Sequence, residues 1–176
     1  MRYYFHLDKE SKGLKQNYVM EDREHHRIYE AVMTKNSIFK PCTYDFINHV
    51  SGSVKSYAMG HNIQKSEGVT VGNSRFANIY DSHFSIDGVN NWEYFESQGY
   101  KTDIRVQGLG EVATLSRNGE VVAHLESAGK NLFEDESEGK GLANAIHFTG
   151  NYRVDCEAEN LDIAFMLCFS LTRTSV

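Results

Sequence analysis

LDIAFMLCFSL, residues 161–171, is the stretch that decides the fold of this chain. From Ile163 to Phe169 it has no charged or amide side chain. A surface helix would show a polar side chain on every turn of about 3.6 residues, and a half-buried strand would alternate between polar and apolar residues. The stretch is also well short of the roughly 20 residues that cross a bilayer. It is therefore predicted to be surrounded by protein on every side.

A helix is favoured over a strand in this stretch, because residues 164–167 are not β-branched. Asn160 can cap the N-terminus of such a helix. Asp162 complements the positive end of the helix dipole, and Arg173 complements the other end. The side chains expected to form the core of the protein from this helix are Ile163, Phe165, Met166, Leu167 and Phe169.

The rest of the chain is typical of short β-strands. The clearest signal lies at residues 111–125, where two alternating runs flank Asn118-Gly119, the preferred pair of a type I′ turn. Further strands are predicted at residues 2–7, 18–20, 28–33, 44–50, 54–59, 69–71, 76–80, 83–86, 92–96, 102–106 and 147–157. A mostly β chain that must hide one wholly apolar helix is most simply a closed antiparallel barrel wrapped around that helix.

Alternation also predicts which way some side chains point. In residues 44–50 the even-numbered positions, which end at Val50, are expected to share one face with Phe46. In residues 102–106, Ile104 and Val106 are expected to point inward.

The chain of 176 residues is expected to form one domain, residues 1–176. A hydrophobic content of 40% and a charged content of 24% are typical of a globular protein rather than a disordered one. The N-terminus lacks the apolar run of a signal peptide, and no window reaches transmembrane length. The three cysteines are far apart and form no C-x-x-C pair, as in reduced proteins. A cytoplasmic protein is predicted, either free or peripherally attached to a membrane.

The order of strands that ends in NYRVDCEAEN and then LDIAFMLCFSL resembles the tubby C-terminal-like superfamily and, within it, the LURP-one-related proteins. The opening RYYF and NYVMEDREHHRIYEAVM, and the central FKPCTYDFINHVSGSVKSYAMGH, are similar to that family as well. The resemblance implies an antiparallel barrel of about 12 strands with the C-terminal helix through its centre. It also implies kinship with phospholipid scramblases, and with proteins that bind membrane phosphoinositides. None of the family's headgroup-contacting residues can be placed on a position of this sequence.

A mild basic bias marks residues 31–66, where Asp45 is the only acidic residue. Such a bias could meet phosphate-bearing partners, although a solvated surface is the plainer interpretation. With the resemblance, it predicts a non-enzymatic domain that binds anionic phospholipid headgroups at a membrane surface. The speculative headgroup contacts are Lys35, Lys40, Lys55 and Lys65. The alternative is a soluble scaffold or regulatory partner that contacts other proteins through the acidic residues of 134–138.

Other functions have weaker support in the sequence. A net charge of −6 opposes nucleic-acid binding, since phosphate contacts supply most of that affinity. No G-x-S-x-G motif or cysteine in a catalytic context is present, so no enzyme and no cofactor are predicted. His25-His26 is expected in an exposed turn rather than a zinc site. The acidic residues of 134–138 could bind a divalent cation, but a solvated loop is favoured. A barrel that carries a small apolar ligand would require a lumen that the helix leaves empty. No pattern indicates an oligomeric state.

Overall fold

A computed structural model describes residues 1–11, 15–36, 42–63, 82–107, 110–129, 132–133 and 150–174. Within these residues the protein is mainly β, as predicted, and it ends in a C-terminal helix. The strands are β1 (Arg2–Leu7), β2 (Tyr18–Glu21), β3 (Arg27–Lys35), β4 (Cys42–Asn48), β5 (Ser53–Ile63), β6 (Ser82–Ile86), β7 (Val89–Asn90), β8 (Lys101–Gln107), β9 (Gly110–Arg117), β10 (Glu120–Ala128) and β11 (Asn151–Cys156). The α-helices are α1 (Asn91–Ser97) and α2 (Leu161–Thr174), and a 3₁₀ turn at Ala158–Asn160 precedes α2.

The strands form one 11-stranded antiparallel sheet in the order β7-β6-β5-β4-β3-β2-β1-β11-β10-β9-β8. The first strand lies in the middle of the sheet, because Phe5 of β1 pairs with Met20 of β2 on one side and with Tyr152 of β11 on the other. This arrangement leaves β7 and β8 at the two edges. No ladder between described residues joins these two edges, and α1 connects them along the chain.

Helix α2 is enclosed over most of its length. Every residue from Ala164 to Leu171 is at most 3% exposed, which covers more than two turns and hence every direction around the helix axis. The ring of Phe165 lies 5.2 Å from that of Phe5 and 4.4 Å from that of Tyr29. Phe169 extends these contacts to β2 and β4. Ile163, nearer the start of the helix, is only partly buried. The inner face of the sheet therefore packs against α2, which is the centre of the core.

The hairpin between β9 and β10 is confirmed. Asn118 and Gly119 both have positive φ angles, 53° and 84°, as a type I′ turn requires. The turn brings Glu120 opposite Arg117. A register shift after Val121 leaves that side chain exposed while Ala123 faces the core.

The prediction of a strand at residues 92–96 is wrong, because this segment is helix α1. The side chain of Asn90 accepts a hydrogen bond from the backbone N–H of Trp92 and caps the helix. Asn91 and Phe95, four residues apart, are both buried, which is the spacing of one helix face. Over five residues, strand alternation and a single helical turn produce similar patterns, so the cap was the more informative signal.

Two predicted inward positions are exposed. Ile104 pairs with the buried Ala113, so it lies on the inner face as expected, but it is 38% exposed and Val106 is 76% exposed. The reason is that β8 is an edge strand with one neighbour. Val50 is exposed because β4 ends at Asn48, whose side-chain oxygen accepts hydrogen bonds from the next turn.

Several predictions concern residues outside the described ranges. These are the strands at 69–71 and 76–80, the acidic residues of 134–138, and two of the proposed headgroup lysines, Lys40 and Lys65.

Candidate functional site

A pocket of about 230 Å³ lies at the N-terminal end of α2. We call it the tyrosine pocket, because Tyr29, Tyr57, Tyr94 and Tyr100 line it. Its apolar lining comes from Phe46, Ile163 and Met166. Its polar and charged lining comes from Lys55, Gln98, Glu159 and Asp162. Aromatic and apolar walls with a few polar groups are the usual composition of a ligand site.

The sheet and both helices place these side chains together. Phe46 of β4 faces the core and pairs with Lys55 of β5, so Lys55 and Tyr57, two residues further on, share that inner face. Tyr94 and Gln98 are four residues apart at the end of α1 and therefore lie on one side of the helix. The first turns of α2 supply the remaining contacts. The pocket thus lies where α1 and α2 meet β3, β4 and β5.

Asp162 is the polar centre of this region. Its carboxylate accepts a hydrogen bond from Asn48 Nδ2 at 2.8 Å and one from Lys55 Nζ at 3.1 Å. The hydroxyl of Tyr29 donates to it as well. Burial alone would raise the pKa of Asp162, but the hydrogen bonds from Asn48 and Lys55 outweigh burial, and the pKa is lowered. The carboxylate is therefore charged at neutral pH, and it fastens the start of α2 to β3, β4 and β5.

The hydroxyls of Tyr29 and Tyr57 keep their protons. Burial is the main cause that raises the pKa of Tyr29, and the neighbouring charge of Asp162 raises it further. Burial also raises the pKa of Tyr57, followed by its hydrogen bond with Tyr94. The rings of Tyr57 and Tyr94 lie 6.5 Å apart and nearly perpendicular, at 88°. The rings of Tyr29 and Tyr57 are thus neutral phenols on the wall of the pocket.

The structure does not bring the described headgroup lysines together. Lys35 pairs with Thr43 near one end of β4, whereas Lys55 pairs with Phe46, three residues further along that strand. Three residues correspond to about 10 Å along a strand. Lys35 is exposed, while the ammonium of Lys55 is bound to Asp162. Within the described residues, the basic bias of the sequence is therefore not a single cluster.

The tyrosine pocket was missed by sequence reasoning. Asp162 was assigned only to the helix dipole, and Tyr94 was placed on a strand. The spacing of Tyr94 and Gln98 could not separate a helix from a strand, because residues four apart share a face in both; the usable signal was the helix cap at Asn90. The convergence of Tyr29, Lys55 and Asp162 depends on contacts across more than 100 residues, which no local pattern contains.

A second cavity, of about 370 Å³, lies beside β3 and is lined by charged and polar residues. Three of its charged side chains are paired, since Arg27 contacts Asp8 at 3.3 Å and Glu30 at 3.4 Å. It lacks aromatic walls. In the part of the chain that the structure describes, no group of three or more His, Cys, Asp or Glu side chains is arranged to hold a metal ion. The tyrosine pocket is therefore the better candidate site.

Comparisons of the chain with protein-family models, with curated proteins and with solved structures gave no match. The resemblance to LURP-one-related proteins therefore stays a prediction. None of the described helices has the length and apolar character needed to cross a bilayer.

Proposed function

We propose that this protein is a non-enzymatic binding domain whose ligand occupies the tyrosine pocket. The observation that carries the proposal is the convergence of four tyrosines, an apolar lining and a charged rim in one concavity. Such a composition buries the body of a ligand against rings and orients it through a few polar contacts.

The polar groups of the pocket are suited to binding rather than to proton transfer. Asp162 is engaged by three donors and is held in its charged form. Tyr29 and Tyr57 are held in their protonated forms. A general acid or base works best with a pKa near the operating pH, and these three groups are shifted away from it.

The size of the pocket limits the ligand. A volume of about 230 Å³ is below the 300–1,000 Å³ typical of sites for drug-sized molecules. The ligand is therefore a compact molecule or the exposed head of a larger one. An apolar ligand inside the sheet is disfavoured, because α2 already fills that space with buried side chains.

A screen of small polar fragments by two-dimensional NMR of the labelled protein tests the proposal. Fragments that bind are expected to shift the amide resonances of Tyr57, Tyr94 and Asp162. Tyr94→Leu is expected to lower the affinity for these fragments. Val121→Leu, at an exposed position of the β9–β10 hairpin, is the control. If fragments shift resonances elsewhere only, or if Tyr94→Leu binds them as tightly as the original protein, the pocket is not the ligand site.

Anionic phospholipid headgroups are a second candidate ligand. The position of Lys55 in the pocket favours them, since its ammonium could leave its ion pair with Asp162 and bind a phosphate group instead. Cosedimentation with phosphatidylserine vesicles at low and physiological salt tests this candidate, with Lys55→Gln expected to reduce binding. Absence of salt-sensitive cosedimentation would exclude it.

The closed barrel belongs to the same proposal. Its support is the complete burial of α2 between Ala164 and Leu171, which requires protein on all sides of the helix. A closed barrel also requires a partner strand along the free edge of β8, on which Ile104 and Val106 are exposed. Hydrogen exchange of the β8 amides tests this pairing. Successive amides point to opposite edges of the strand, so all of them should exchange slowly in a closed barrel, and fast exchange at every second residue would contradict closure.

A further inference from the structure

We propose that the tyrosine pocket recognises an ammonium group, carried by a small molecule or by a zwitterionic lipid headgroup. This inference rests on the proposed function, because it names the chemistry of the ligand at that same site.

The charges of the lining favour a cation. Lys55 Nζ lies 3.1 Å from Asp162 Oδ2, so these two charges largely cancel. Glu159 is exposed at the rim and, within the described residues, joins no ion pair. With two carboxylates and one ammonium, the lining carries a net charge of −1. An anionic ligand would lie near the carboxylate of Glu159, whose charge no cation of the described lining neutralises, and like charges repel.

The aromatic rings of the pocket also favour a cation, in addition to the carboxylates. The rings of Tyr57 and Tyr94 are both on the lining, nearly perpendicular and with centroids 6.5 Å apart, and Tyr29 and Tyr100 line the pocket as well. The Tyr100 ring already holds one cation, the Arg117 guanidinium, 5.2 Å from its centroid. A cation within about 6 Å of such ring faces gains roughly 0.5–2 kcal/mol from the ring quadrupole. Aromatic walls with a nearby carboxylate are the chemistry that holds alkylated ammonium groups. A neutral, apolar ligand of the same shape would bury the same area against the rings but would lack this attraction.

Lys55 is a built-in competitor for this site. Its own ammonium is bound to Asp162 at the edge of the pocket, so the site already accepts one cation. A ligand ammonium must displace it or lie beside it against like charge. Removal of the Lys55 charge should therefore strengthen the binding of a cation and weaken the binding of an anion, which separates this inference from the phospholipid candidate.

The experiment compares choline with 3,3-dimethylbutan-1-ol, its neutral isostere, by calorimetry and NMR titration of the whole chain. Choline is expected to bind roughly two- to thirtyfold more tightly, the ratio that corresponds to the cation–ring interaction. Lys55→Met is expected to raise the affinity for choline and Glu159→Gln to lower it. Glu120→Gln, an exposed carboxylate on the β9–β10 hairpin, is the matched control and should change nothing.

The outcomes separate the two proposals. If the isostere binds as tightly as choline, or if Lys55→Met weakens choline binding, the ammonium inference is overturned while the pocket remains a ligand site. If neither these probes nor any fragment shifts the resonances of the pocket, both proposals fall. Phosphatidylcholine vesicles distinguish the sources: cosedimentation that soluble choline competes away assigns the ammonium to a lipid, and choline binding without cosedimentation assigns it to a free molecule.

Discussion

Replacement of Phe165 by alanine tests the central role of α2 most directly. The Phe165 side chain is fully buried, and its ring contacts those of Phe5, Tyr29 and Phe46 at centroid distances of 4.4 to 5.4 Å. Truncation of a buried phenylalanine to alanine typically costs about 3–5 kcal/mol, because transfer free energy and packing contacts are both lost. Small domains have a total stability of roughly 5–15 kcal/mol, so the variant should lose a large part of it.

Urea denaturation followed by circular dichroism measures this loss. For a chain of this size, about 3–5 kcal/mol corresponds to a fall in melting temperature of roughly 6–20 °C. If Phe165→Ala does not fold, Phe165→Leu keeps the apolar character, removes the ring contacts and should cost about 1–3 kcal/mol. Val121→Ala, at an exposed position, is the control and should cost less than about 0.5 kcal/mol. A loss below about 1 kcal/mol for Phe165→Ala would show that α2 is not the centre of the core.

Three further predictions concern other parts of the molecule. Gly119→Ala should destabilise the protein by about 1 kcal/mol; the cost comes from the backbone, since φ is 84° at this position, and not from a clash, since no atom lies near an added Cβ. An unchanged urea midpoint would contradict the type I′ turn. Asp162→Asn should be less stable than the original protein at neutral pH, because the lowered pKa means that the carboxylate contributes stability above its unfolded pKa of about 3.9. This contribution is lost as the pH falls through the folded pKa, so the difference in stability between the two proteins should vanish in acid. A difference that persists at low pH would refute the charge argument. Cys42 should react with iodoacetamide before the other cysteines, because burial raises the pKa of Cys156 to about 12 and raises that of Cys168 as well; mass spectrometry of the native protein that shows early labelling of Cys168 would refute the burial of α2.

The features predicted correctly are those that a local pattern determines. The apolar run at 161–171 could only be a buried segment, and Asn118-Gly119 determined its hairpin because the two residues accept positive φ at little cost. The strand predicted at 147–157 followed from its alternation, and in its described part, β11, Tyr152, Val154 and Cys156 all face the core.

The features that were missed depend on sheet position and on distant contacts. Ile104 has the alternation of a core strand, but its exposure follows from the place of β8 at the edge of the sheet, which its own sequence does not encode. The pocket requires Tyr29, Lys55 and Asp162 to meet, and those contacts exist only once the sheet has formed around α2. Of the four lysines of the basic bias, the structure describes Lys35 and Lys55, and these two lie at different heights along β4, which the sequence alone does not indicate.

The pairing of β1 with β11 has a consequence for biosynthesis. Arg2 of the first strand is bonded to Asp155 through two hydrogen bonds, across 153 positions of sequence. Synthesis proceeds from the N-terminus, so β1 to β10 are made before β11, which pairs with β1, and before α2, which fills the interior. Until then the strands made earlier expose an apolar face with nothing to cover it, which is the condition that invites aggregation and chaperone engagement. Folding dominated by such long-range pairings is expected on the millisecond to second scale or slower.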